Sequence, residues 1–138
     1  MSPIDELKYI RFKQRLTNFE DAYAQFIDAL KKDTVNDAGN RSSLIHTFEF
    51  TFELAWKTLK DLLEAKETTE VTFPREVLQA AYDHKYITET VIWGEALKKR
   101  NEAAHTYDEV IAVEVEKFIR EKFAPVLEQL RNFFNKVL

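Results

Sequence analysis

The chain has 138 residues, 24 acidic against 20 basic side chains, a net charge of −4 and no cysteine. One domain of ordinary size is expected over 1–138, long enough to bury a single sizeable core. Disulfides, thiolate zinc sites and cysteine nucleophiles are excluded. Broad charge-driven binding to nucleic acid is disfavoured, because it needs an excess of Lys and Arg. With two isolated glycines no Gly-rich phosphate loop can form. The opening MSPIDELKYIRF lacks a basic stretch followed by an apolar run, and no apolar segment is long enough to span a bilayer. The expected location is cytoplasmic, with no membrane partner.

The elements read as helices throughout. Ser2 is placed to cap a first helix, with Pro3 at its first position and Asp5 completing a capping pair. Leu7, Ile10, Leu16, Phe19, Tyr23, Phe26, Ile27 and Leu30 recur in steps of three and four, the spacing of one buried stripe. The segment from Asp33 to Asn40 reads as a loop. A second helix is expected from about Ser43 to Ala65. Ile45, Phe48, Phe52, Ala55, Leu59 and Leu62 lie on its inner face, and Glu53, Lys57 and Asp61 support it at four-residue spacing. Phe50 and Trp56 fall off that stripe. The helix is therefore central or meets a second copy of the chain, and a homodimer is expected.

The stretch Glu67 to Phe73 is a connection, after which Thr72 and Pro74 open a short helix through Tyr82. Another helix is expected from about Thr88 to Ala104, with Val91, Ile92, Trp93 and Leu97 inward. Thr106 and Glu109 match a capping box, so this helix ends near His105 and the next begins at about Tyr107. The last helix presents Val110, Val113, Phe118, Phe123, Leu127, Leu130 and Phe134, and Pro125 inside it is expected to kink or break it. The fold class is thus all-α, an antiparallel up-and-down bundle of four to five helices.

The densest polar cluster at an element boundary is Arg100 to Glu109, RNEAAHTYDE. Arg100 offers a planar fixed charge suited to phosphate, and His105 can exchange a proton near neutrality. Asn101 and Tyr107 add donors and acceptors. Without a metal, such a pair can activate an RNA 2′-hydroxyl and stabilise the developing phosphate charge. On an ideal helix Arg100 and His105 stand about 140° and about 7.5 Å apart, so a bend at the helix end or a second subunit must bring them together. The plainer alternative makes Arg100 a helix C-terminal charge and His105 a C-terminal polar cap. His46, Glu49 and Glu53 lie near one helix face, but the order His-x-x-Glu reverses the Glu-x-x-His pairs that helical di-metal sites use, so a polar stripe is expected there and no metal or cofactor.

Arg100, four residues, then His105 is similar to the Arg-x4-6-His signature of the HEPN superfamily. The fuller Arg100-Asn101-x-x-x-His105-x-Tyr107, with Phe48–Glu64 (FEFTFELAWKTLKDLLE), resembles the branch associated with minimal nucleotidyltransferases, in its nucleotidyltransferase substrate-binding protein subfamily. The resemblance covers nearly the whole chain. It implies a helical bundle that dimerises and a minimal nucleotidyltransferase as partner. It further implies a metal-independent ribonuclease toxin with RNA as substrate, in which Arg100, His105 and Asn101 are the catalytic set. In that branch the nucleotidyltransferase acts as antitoxin and can transfer AMP to the motif tyrosine, here Tyr107. An alternative implication is a non-catalytic, substrate-binding subunit of a two-chain nucleotidyltransferase.

Overall fold

A computed structural model describes residues 2–105, His105 by its backbone alone, and residues 108–138. Among the described residues there are helices and no strands: α1 (Pro3–Leu30), α2 (Ala38–Lys66), α3 (Pro74–Asp83), α4 (Thr90–His105), α5 (Glu109–Phe118) and α6 (Ala124–Val137). A π turn, Ile119–Phe123, joins α5 to α6 in one rod, so the architecture is a bundle of five rods. The expected helical bundle is what forms.

Helix α1 begins as its sequence dictates. The Ser2 hydroxyl accepts the Asp5 N–H at 3.2 Å and donates to the Asp5 carboxylate at 2.8 Å. Its buried stripe is Phe12, Leu16, Phe19, Ala22, Phe26 and Ala29. Leu7 and Ile10, expected inward, are 63% and 50% exposed. Ile10 lies two residues before Phe12, about 200° around the helix, so burying the aromatic turns Ile10 outward. Val91 is exposed two residues before buried Trp93, and Val113 two before buried Val115. Val110 is exposed too. In each case the larger or better-phased neighbour takes the core.

Helix α2 starts at Ala38 rather than near Ser43 because Asp37 caps it, its carboxylate accepting the Asn40 N–H at 3.2 Å. The loop is therefore shorter than expected, and Ala38 to Asn40 belong to the helix. Phe48, Phe52, Ala55, Leu59 and Leu62 are fully buried, as expected. Trp56 is buried as well, and of the aromatic run only Phe50 stays open. The surplus apolar surface expected on this helix for a second copy thus reduces to one ring. Asp61 does not extend the surface stripe of Glu53 and Lys57. It is buried and pairs with Arg15 at 3.0 Å across the antiparallel α1–α2 pair.

Helix α3 is entered at Phe73, not Thr72: the Phe73 N–H donates to the Glu76 carboxylate at 3.1 Å. It leaves through Lys85 at φ 64°, with the Tyr86 N–H bonded to the Ala81 carbonyl at 2.8 Å. A left-handed residue after the last turn lets that carbonyl be satisfied. Pro125 has the expected effect in a specific form. It lacks an N–H and its ring crowds the carbonyl four residues back, so the chain widens by one residue. The Ala124 N–H then reaches the Ile119 carbonyl. Across the bundle Phe26 meets Phe123, Glu20 meets Arg131, and Phe12 meets Phe134, so α6 runs antiparallel to α1. No described helix is long and apolar enough to cross a membrane.

Candidate functional site

Trp93 and Ala96 are buried against the core, and one turn further along α4 the same face carries Arg100. Its guanidinium crosses to α2, where Nη2 meets Glu53 Oε1 at 3.0 Å. Arg100 Nη1 donates to Asn101 Oδ1 at 3.3 Å. Arg100 Nε is buried and has no hydrogen-bond partner among the described residues. Glu53 is itself held: its Oε2 accepts from Trp56 Nε1 at 3.2 Å and has Lys57 Nζ at 3.8 Å. Arg100 is therefore not a loose charge at a helix end. It is anchored by a carboxylate that the sequence pattern assigned to a surface stripe with Lys57.

Of the other sequence-derived site residues, Asn101 sits on the exposed side of α4. His105 is the last residue of α4. The His105 side chain, Thr106 and Tyr107 lie outside the described residues. Helix α5 begins at Glu109, two residues later than expected, and its cap is Asp108, whose carboxylate accepts the Val110 N–H at 2.8 Å. Among the described residues no group of three or more His, Asp or Glu side chains is arranged to hold a metal.

Beside the motif a cleft of about 520 Å³ opens between the first turns of α2 and the first turns of α5. Ala103 and Asp108 both line it, and the intervening chain carries His105 and Tyr107. Ile45, Ile111 and Val115 give it an apolar wall, while Arg41, His46 and Glu49 give it polar groups. The volume falls within the range usual for small-molecule sites.

Arg41 belongs to a network that sequence reasoning missed. Its Nε meets Glu116 Oε1 at 2.8 Å and its Nη2 donates to the Thr34 carbonyl at 3.2 Å. Arg120, on the π turn, meets Glu116 Oε2 at 2.9 Å and donates to the Leu30 carbonyl at 2.8 Å. The Thr34 hydroxyl donates to the same carboxylate. Burial pushes the Glu116 carboxyl up, but hydrogen bonds from Thr34, Arg41 and Arg120 outweigh it and hold the group below the usual glutamate value. The available signal was a carboxylate sitting inside the stripe of Val115, Phe118 and Ile119.

The family described as "Nucleotidyltransferase substrate binding protein like" matches residues 14–136. The chain belongs to this nucleotidyltransferase substrate-binding-like family. A crystal structure of a protein from Thermus thermophilus is similar at 27% identity and a TM-score of 0.69, covering 81% of this chain and 94% of that one. A search of proteins with curated function gives no match. For this substrate-binding-like protein the family name implies association with a nucleotidyltransferase, and the bundle agrees with the neighbour's fold.

Proposed function

We propose that this chain is the substrate-binding half of a two-chain nucleotidyltransferase, with Tyr107 as the residue that receives the nucleotide. The observation that carries the reading is the open cleft whose lining residues Ala103 and Asp108 bracket the His105–Tyr107 segment. A preformed concave surface next in sequence to an acceptor hydroxyl is what a transferase partner needs from a binding subunit. In the transfer, the Tyr107 phenol oxygen attacks the α-phosphorus of ATP. The phenol proton goes to a base on the transferase, and pyrophosphate leaves. Co-expression with a minimal nucleotidyltransferase is expected to give a complex, and incubation with ATP to add the mass of one AMP to the peptide containing Tyr107. Tyr107→Phe is expected to abolish the addition. Persistence of the mass shift in Tyr107→Phe removes the acceptor assignment, and the absence of both complex and transfer removes the reading.

A second reading, a ribonuclease toxin that the nucleotidyltransferase silences, is favoured by one observation: the buried Arg100 Nε, which has no hydrogen-bond partner among the described residues. In that reading Arg100 stabilises the scissile phosphate, Asn101 orients it and His105 transfers the proton. It ranks second because Glu53 already neutralises Arg100 at 3.0 Å, so an RNA phosphate must compete with a held carboxylate. Cleavage is expected to survive EDTA and leave a 2′,3′-cyclic phosphate. His105→Ala is expected to slow it by about 10²-fold or more. If the unmodified protein cleaves no RNA, or His105→Ala cleaves as fast, this second reading falls.

A further inference from the structure

We propose that the cleft between α2 and α5 is a nucleoside monophosphate site, with Arg41 anchoring the phosphate and the wall of Ile45, Ile111 and Val115 meeting the base. The ligand class rests on the transferase reading above; the site itself rests on the geometry.

Arg41 is a guanidinium fixed in advance. Its Nε is tied to Glu116 at 2.8 Å and its Nη2 to the Thr34 carbonyl at 3.2 Å. Its remaining nitrogen, Nη1, has only a long contact among the described residues, to Glu109 Oε1 at 3.8 Å. The Glu109 side chain is 83% exposed, against 17% for Arg41. An exposed carboxylate at that distance is screened by water and held weakly, so an arriving phosphate oxygen displaces it easily. The guanidinium meanwhile keeps its orientation, and little ordering accompanies binding. Two arginines, Arg41 and Arg120, share the single carboxylate of Glu116, so that carboxylate neutralises Arg41 only in part.

Three carboxylates, Glu49, Asp108 and Glu109, line the same cleft, and Asp108 follows directly on the acceptor segment. One fixed cation among three carboxylates suits at most one phosphate group and repels a triphosphate tail. The apolar wall suits a flat base more than a bare sugar phosphate. The site is thus built to hold the transferred group and to reject the ATP it comes from.

The test is calorimetric titration of the isolated chain with AMP, ATP without magnesium, adenosine and inorganic phosphate. AMP is expected to bind more tightly than each of the others by about tenfold or more, as one charge-assisted contact added to base burial provides. ATP binding as well as AMP, adenosine matching AMP, or no binding by AMP overturns the site. Arg41→Ala also strands Glu116, so two other variants decide the location. Ala112→Leu fills the cleft while keeping Arg41 and each of its partner residues, and is expected to weaken AMP about tenfold. Glu109→Gln removes the competing carboxylate and is expected to tighten AMP several-fold. Unchanged affinity in a folded Ala112→Leu, or no gain in Glu109→Gln, overturns the assignment. Because no transferase is present, failure here with AMP transfer to Tyr107 intact removes the site alone. Binding without any transfer removes the functional reading alone.

Discussion

Replacing Glu116 with alanine is expected to destabilise the protein by about 3–5 kcal/mol, the usual consequence of removing one partner from a buried charge network. The carboxylate accepts from Arg41 at 2.8 Å, from Arg120 at 2.9 Å and from Thr34. Without it, two guanidinium groups face each other with no anion between them, and the α1–α2 loop loses its tie to α5. The same network gives a signed pH dependence. The Glu116 carboxyl titrates below its ordinary value in the fold. Its contribution is therefore complete above the ordinary glutamate value and is lost as pH falls through the lower folded value. Urea unfolding of wild type and Glu116→Ala across acidic pH measures both effects. A loss below about 1 kcal/mol near neutrality, or a gap between the two proteins that does not close on acidification, contradicts this account.

Phe123→Ala is expected to be as damaging, at about 3–5 kcal/mol, which lowers the melting temperature by on the order of 10 °C or more. Phe123 is fully buried at the end of the π turn. Its ring stands edge-on to Phe48 at 4.9 Å, to Trp93 at 5.7 Å and to Phe26 at 5.9 Å, so one truncation empties the meeting point of α1, α2 and α4. Backbone relaxation cannot close that space easily, because Pro125 already constrains the turn. Phe123→Leu, which keeps most of the volume, is expected to lose much less. A melting temperature for Phe123→Ala within a few degrees of wild type would show that the core closes over the gap.

The two variants differ in how visible their sites are before folding. Phe123 announces itself, since it lies in a helical stripe with Phe118, Leu127 and Leu130. Glu116 does not, because a lone glutamate in an amphipathic helix ordinarily faces water. The motif shows the same split. Arg100, Asn101, His105 and Tyr107 stand out by type and spacing at a helix end, yet the anchoring of Arg100 by Glu53 was hidden, because Glu53 also matches a local pair with Lys57. That local pair exists at 3.8 Å, but the cross-helix contact is closer, at 3.0 Å.

By itself the sequence determined a helix-only chain, an aromatic core, a cap at Ser2, a disturbance at Pro125 and a polar motif where α4 ends. All of these depend on residues within a turn or two of one another, where 3.6-residue spacing and capping chemistry act directly. The tertiary structure decided which of two apolar faces is buried, turning Leu7, Ile10, Val91 and Val113 outward. It also joined Arg41 to Glu116 across 75 positions of chain, and it opened the cleft between α2 and α5. The reason is that a periodic pattern specifies a helix and its faces, but the face that loses water is chosen by competition among side chains that meet only after the helices pack.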